Sequence, residues 1–220
     1  MAEACEVKIV TLIRHGVAAH NINGVQDPDP EEPARYTDSP LTDRGRKQAS
    51  SMSNKTLALG IELLVCAPLS RAIDTGLLAF PQVECVVAHE DVREYCARRY
   101  ANKRLAKSEL EAKYGGRVDF SLISSEPDPL FNVDKAEAWP GGPIERAQSF
   151  IHWIMQRPEK RIAVASHGVF LEVLLRQLGG LPDGERVHNC ELRNLTLRNG
   201  TQFAGVDLVA MEPILRPQPT

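Results

Sequence analysis

Short β-branched runs alternating with helix-length segments constrain this 220-residue chain more than any other feature of it. Residues 7–13 are mostly β-branched and apolar, and they stop at Arg14-His15-Gly16, the pattern of a buried strand closed by a polar turn. From Leu41 the text becomes helical: Thr42 can cap, Asp43 falls in the first turn, and Ala49, Met52 and Leu57 can form an inward face. Residues 61–67 are a second short apolar run before Pro68, a helix follows from Ser70 to before Pro81, and residues 83–88 read as a third strand. Further on come a helix over 144–156, a strand over 162–165 and a helix over 169–178 that stops at Gly179-Gly180. Two late β-rich runs, 191–197 and 203–211, can add strands at the sheet edge. Such alternation predicts a largely parallel sheet covered on both faces, an α/β fold of the three-layer α/β/α sandwich type.

The length suits one domain over residues 1–220, with a less regular, cap-like excursion at about 95–143 covering one end of the sheet. Within it, residues 102–114 look helical with Gly115-Gly116 as the stop. Glu126-Pro127-Asp128-Pro129 and Trp139-Pro140-Gly141-Gly142-Pro143 then break regular structure. A formal net charge of −3 offers no general attraction for nucleic acid or an anionic membrane, so neither is expected as a partner. An anionic ligand therefore needs a local cationic pocket. The five cysteines are scattered without CxxC spacing, as expected in a reducing compartment, and Cys66 and Cys85 read as small buried thiols. No signal-type leader and no membrane-spanning run is visible, which points to the cytoplasm.

In parallel α/β sheets, ligands gather outside the carboxyl ends of the strands. Arg14-His15-Gly16 and Ser166-His167-Gly168 each follow an expected strand, so two histidines distant in sequence can meet there. Between them lie Asn21, Ser39-Pro40-Leu41-Thr42 with Gly45, Gln48 and Ala49, Pro68-Leu69-Ser70-Arg71-Ala72 with Thr75, and Val92-Arg93-Glu94. The six histidines show no metal-ligand spacing. His20, His89, His152 and His188 read as ordinary, and of these His20 alone merits substitution because it adjoins Asn21. Neither a P-loop nor a dinucleotide-binding glycine pattern occurs, and no metal or cofactor is expected.

In this combination and order, over about residues 7–178, the chain resembles the histidine phosphatase superfamily, whose members are phosphoglycerate mutase-like. It is nearest to the plant and fungal phosphoglycerate mutase-like proteins, which share the Arg-His-Gly/Ala…His-Asn opening. The resemblance implies His15 as the nucleophile that takes up the phosphoryl group, with Arg14, Arg71 and His167 around it. Physical chemistry agrees: a phosphoryl group is close to dianionic, and its transfer needs an in-line nucleophile and cations at the equatorial oxygens. Neutral imidazole is a competent nucleophile, and guanidinium forks match phosphate oxygens. Asn21 would add an uncharged donor, and Gly16 and Gly168 line the phosphate. Nearby arginines keep His15 neutral, whereas a bound dianion favours protonated His167, so the two histidines are expected in different charge states. The resemblance points to Glu94 as general acid, since Val169 rather than a carboxylate follows Gly168; Glu90 and Asp91 are neighbouring alternatives.

The expected reaction is hydrolysis of a small phosphorylated metabolite through a phosphohistidine. One alternative is a cofactor-dependent phosphoglycerate mutase using 2,3-bisphosphoglycerate, and another is a non-catalytic phosphate-binding module. Arg98, Arg99 and Lys103 favour the mutase, because they can bind a second anionic group of the substrate; a solvated helix face is the plain reading of the same cations. Against the mutase stand His20-Asn21 where mutases continue toward Trp-Asn, and Val169 where they place Asn. The acidic loop around Asp27, Asp29, Glu31 and Glu32 can border the pocket mouth and disfavour highly anionic substrates.

Overall fold

The computed structural model describes residues 7–22, 36–95, 99–132 and 142–217; the acidic loop, Arg98, Cys5, Cys96 and the Trp139-Pro140-Gly141 breaker lie outside them. Among the described residues, β1 (Val7–Arg14), β2 (Leu63–Cys66), β3 (Val86–Ala88), β4 (Arg161–Ser166), β5 (Leu192–Phe203) and β6 (Val206–Met211) form a sheet of order β3-β2-β4-β1-β5-β6. The first four strands are parallel, β5 lies antiparallel beside β1, and β6 pairs antiparallel with β5 at the edge. The helices are α1 (Ala19–Ile22), α2 (Asp43–Thr56), α3 (Ser70–Ala79), α4 (Lys107–Tyr114), α5 (Gly142–Met155) and α6 (Gly168–Gln177). None is long and apolar enough to cross a membrane among the described residues.

The expected α/β architecture follows from how each strand divides its side chains. Successive residues of a strand point to opposite faces. Val10 and Leu12 of β1, Leu63 and Val65 of β2, and Ile162 and Val164 of β4 enter one core, with Phe150 and Ile154 of α5 and Phe170 and Leu174 of α6. Ile13, Leu64, Cys66, Ala163 and Ala165 enter the other, with Met52 of α2, Ile73 of α3 and Leu110 of α4. Apolar character on both sides of a strand is what makes these runs continuous rather than alternating in the sequence.

Some expectations are corrected. Leu57 is 55% exposed, because α2 stops at Thr56 and Leu57–Leu59 forms a 3-10 turn. Cys85 is exposed as well, since β3 begins only at Val86. The break expected between the last two strands is shorter: β5 runs on to Phe203, and the turn falls at Ala204 and Gly205, both with positive φ (53° and 74°).

The largest correction lies in the excursion, where the helix starts at Lys107 and not at 102. Tyr100–Asn102 is a 3-10 turn, Lys103 is extended, and the chain has no regular structure from there to Lys107. Arg99 and Lys103 are therefore not on a helix face, and Lys103 Nζ lies 4.9 Å from the centroid of the Phe131 ring. Buried ion pairs hold the segment in this form. Arg93 donates to both oxygens of Asp128 at 2.6 Å and to Glu90 at 3.1 Å. Arg104 donates from Nε to Glu90 at 2.8 Å, while its terminal nitrogens reach the carbonyls of Leu105, Ser125, Glu126 and Pro127.

Removing one member of such a pair leaves an uncompensated buried charge, at a cost of about 3–5 kcal/mol. Asp128→Ala is therefore expected to lower the urea-unfolding free energy by about that amount. Burial alone pushes the Asp128 carboxyl up, but its hydrogen bonds from Arg93 and that charge hold it below the ordinary value. The contribution is thus present above roughly pH 4 and lost as pH falls through the depressed folded value. An Asp128→Ala midpoint equal to that of the wild type at pH 7 would show that the network does not anchor the excursion.

Candidate active site

The carboxyl ends of the four parallel strands deliver the candidate residues to one place. Arg14 pairs in register with Ser166, so the next residues, His15 and His167, emerge side by side. His15 N–H donates to Ser166 O at 2.9 Å, and the two ring centroids are 5.1 Å apart, close to the spacing of adjacent strands. β2 leads through Pro68 to Arg71 in the first turn of α3, and β3 leads to Glu94. Ser166 Oγ donates to Val92 O at 2.6 Å and ties the Glu94 segment to the end of β4.

His15 is only 2% exposed, and its Nδ1 lies 2.7 Å from the carbonyl oxygen of Gly16. A carbonyl can only accept, so Nδ1 carries the proton and the lone pair sits on Nε2. The turn that makes this contact is clamped on both sides. Gly16 N–H donates to Thr75 Oγ1 at 3.0 Å, Val17 N–H to Gln48 Oε1 at 3.1 Å, and Thr42 Oγ1 to Val17 O at 2.9 Å. The start of α2 and this turn approach backbone to backbone: a Cβ on Gly16 would lie 2.5 Å from Gly45 O, and one on Gly45 would lie 2.1 Å from Val17 O. Thr42 also caps α2 by accepting from Gly45 N–H at 3.0 Å.

The two arginines hold less open forks than expected. Arg71 is fully buried, its terminal nitrogens donate to Ala101 O at 2.5 Å and Asn102 Oδ1 at 2.8 Å, and its Nε has no partner. Arg14 donates from Nη1 to Val187 O at 2.7 Å, and its Nε is buried without a partner. Its guanidinium rests on Gly168, where a Cβ would lie 3.2 Å from Cζ. Glu94 Oε1 accepts from Tyr95 N–H at 2.9 Å and from Phe170 N–H in the first turn of α6 at 3.3 Å. Glu90 and Asp91 stand elsewhere, Glu90 bonded to Arg93 and Arg104, and Asp91 near His89, Ser149 and Arg146. Asn21 is exposed, and its Oδ1 accepts from Ala18 N–H at 3.0 Å, which closes α1. Arg99 is near enough to act electrostatically on His20, whereas Lys103 is turned toward Phe131.

Several site residues escaped the sequence reading. His20, read there as ordinary, places its ring 6.0 Å from that of His15. Asn189 Nδ2 donates to His15 O at 2.7 Å. Asp38 accepts from Ser70 N–H at 2.7 Å and from Ser70 Oγ, supplying the cap that Leu69 cannot give α3 and placing a carboxylate near Arg71. Single polar residues in loops carry no periodic signal, and only the Ser39-Pro40 context hinted at Asp38.

Burial, then Arg71, lowers the pKa of both His15 and His167 well below the ordinary imidazole value, and His20 is lowered to about 3 by the same causes. Burial and the arginines thus keep all three rings neutral near pH 7, and it is a bound dianion that would set His167 apart from His15. Arg14 Nε, Arg71 Nε, His20 Nδ1 and both ring nitrogens of His167 are buried with no hydrogen-bond partner. Each such atom costs about 1–3 kcal/mol unless something fills its valence. Their concentration in one pocket with two guanidinium groups fits an oxyanion.

Below about pH 6.5 an unfolded chain protonates imidazoles that the fold keeps neutral, so the unfolded state binds more protons and stability falls with pH. The urea midpoint is expected to drop between pH 7 and pH 5, with a shallower slope in His167→Asn. Equal slopes for the two proteins would contradict a neutral, buried His167.

Comparison with known sequences matches residues 10–205 to the family described as histidine phosphatase superfamily (branch 1). The phosphoglycerate mutase-like protein 1 of Arabidopsis thaliana is 28% identical over 234 residues, covering 86% of this chain and 81% of that protein. A protein of Schizosaccharomyces pombe named a probable phosphatase is 28% identical over 178 residues, covering 74% of each. Among solved structures, the alpha-ribazole phosphatase from Shigella flexneri superposes with a TM-score of 0.59 at 19% identity, covering 93% of this chain and 96% of that one, a likeness of fold.

Proposed function

The chain belongs to the histidine phosphatase superfamily (branch 1), and from that membership we propose that it hydrolyses the phosphomonoester of a small metabolite through a phosphohistidine on His15. The observation that carries this reading is the 2.7 Å contact between His15 Nδ1 and Gly16 O, which leaves a nucleophilic lone pair on Nε2 in a pocket of unfilled donors.

In the proposed reaction, Nε2 attacks phosphorus opposite the ester oxygen. The N–P bond forms as the P–O bond breaks, and the leaving alkoxide takes a proton from Glu94. Water then attacks the phosphohistidine and gives its proton to Glu94, releasing orthophosphate and neutral His15. Nε of Arg14 and Arg71 and the ring of His167 face the equatorial oxygens, and a bound dianion draws a proton onto His167. Gly16 and Gly168 border the phosphate, their missing side chains leaving room for the Gly45 backbone and the Arg14 guanidinium, and the amide nitrogen of Asn21 is the phosphate's uncharged donor. From the excursion, which acts as a cap on one domain, Arg99 meets the rest of the substrate; Lys103, set over the Phe131 ring, is a weaker choice for that contact, and Arg98 rests only on its place beside Arg99 in the sequence. The reaction as written needs no metal and no cofactor, and the setting is cytoplasmic, with no nucleic-acid or membrane partner. Val169, 37% exposed and apolar, stands at the start of α6 where mutases carry an amide, which favours the phosphatase over the mutase.

Turnover of p-nitrophenyl phosphate is expected, with His15→Ala slower by at least about 10³-fold. Equal phosphate release by the two proteins would reject the nucleophile, and no turnover by the wild type on any phosphorylated metabolite would leave a binding module. Faster interconversion of phosphoglycerates with 2,3-bisphosphoglycerate than hydrolysis without it would identify the mutase. Glu94→Gln is expected to slow alkyl phosphates far more than p-nitrophenyl phosphate, whose leaving group needs little protonation. Equal losses on both would remove Glu94 as the acid.

A further inference from the structure

The reaction just described gives no task to His20, although no ordinary structural role explains where it sits. Its ring lies 6.0 Å from the His15 ring at an interplanar angle of 51°. The backbone beneath it is pinned at three points: His20 N–H donates to Ser39 Oγ at 3.0 Å, Ala19 N–H to Pro40 O at 2.9 Å, and Ala18 N–H to Asn21 Oδ1 at 3.0 Å. A side chain carried on so short and well-tied a turn is aimed. Yet its Nδ1 is buried with no hydrogen-bond partner, an arrangement that costs stability unless a ligand completes it.

The surroundings identify the chemistry of that ligand. Arg71 and Arg14, the same two guanidinium groups that act on His15, also act on His20, together with Arg99. An anion drawn to the shared arginines is thereby brought within reach of both rings. A neutral imidazole in a field of positive charge is a poor acceptor for a cationic group but a good donor to an oxyanion.

We propose that His20 Nδ1–H donates a hydrogen bond to a non-bridging oxygen of the phosphoryl group as it passes to and from His15, so that three imidazoles and not two contact the transferred group. This rests on the phosphohistidine reading above. It assigns to His20 stabilisation of the charge on the equatorial oxygens, with no proton transferred.

Three substitutions separate donation from packing. His20→Phe keeps the ring and removes both nitrogens, His20→Asn sets an amide nitrogen near the position of Nδ1, and His20→Gln sets one near Nε2. With p-nitrophenyl phosphate, His20→Phe is expected to lose roughly 10²-fold in kcat/KM, the usual size for one lost oxyanion donor. Inhibition by orthovanadate, which mimics five-coordinate phosphorus, is expected to weaken in parallel. Asn should restore most of both losses, and Gln should not. Parity of His20→Phe with the wild type, equal losses in Phe and Asn, or rescue by Gln as complete as by Asn would each overturn donation through Nδ1. Should the Phe variant fail to fold, the contrast between Asn and Gln decides. Rapid-quench trapping of an acid-labile phosphoenzyme in the wild type keeps the two levels apart: its absence during turnover defeats the phosphohistidine itself, whereas its presence with any of the overturning outcomes defeats only the role of His20.

Discussion

The contact between the Gly16 carbonyl and His15 Nδ1 decides which nitrogen of the central histidine is available, and much of the fold serves to hold that carbonyl still. Imidazole has two equivalent-looking nitrogens, and a free ring would divide its proton between them. Here the choice is made by the next residue in the chain. The carbonyl can keep its direction because Gly16 N–H is tied to Thr75 on α3 and Val17 to Gln48 on α2 and to Thr42, the residue that caps α2. Two helices on the same face of the sheet thus converge on one peptide group. The backbone approach at Gly16 and Gly45 is the geometric condition for that convergence.

A second organising theme is the burial of arginine. Arg71, Arg93 and Arg104 are each at most 3% exposed, and each donates to backbone carbonyls of the excursion, Ala101 O, Asn102 O and Ser125 O among them. Asn102 links the first two: its side chain accepts from Arg71 and donates to Tyr95 O at 3.0 Å, while its carbonyl accepts from Arg93 at 2.6 Å. Through Asn102 the guanidinium of Arg71 and the backbone next to Glu94 share one support. Arg71 is lowered to about 10 by burial, against which Asp38 and Glu94 work to keep it charged.

What could be read from the sequence divides along physical lines. Strands and helices that bury whole faces advertise themselves by period, so β1, β2, β4, α2, α3, α5 and α6 emerge close to their expected limits. The register of β1 against β4 explains why Arg14-His15-Gly16 and Ser166-His167-Gly168 were informative as a pair: a polar triplet after each of two neighbouring strands must meet. The excursion was misread because its conformation is dictated by buried ion pairs between residues as far apart as Arg93 and Asp128, and a helical propensity over 102–106 could not outweigh them. His20 and Asp38 were missed for a related reason. Their roles depend on what faces them across a loop, and no local pattern encodes that.

The anchoring of Arg71 by Ala101 and Asn102 bears on how such a scaffold can diversify. Loops that reach over a parallel sheet are often treated as exchangeable recognition modules mounted on an independent reaction centre. In this molecule the segment that would choose the substrate also grips an arginine of the centre itself. Chimaeras that swap the segment wholesale must therefore reproduce a carbonyl and an amide oxygen at those two positions, or they will alter chemistry and selectivity together.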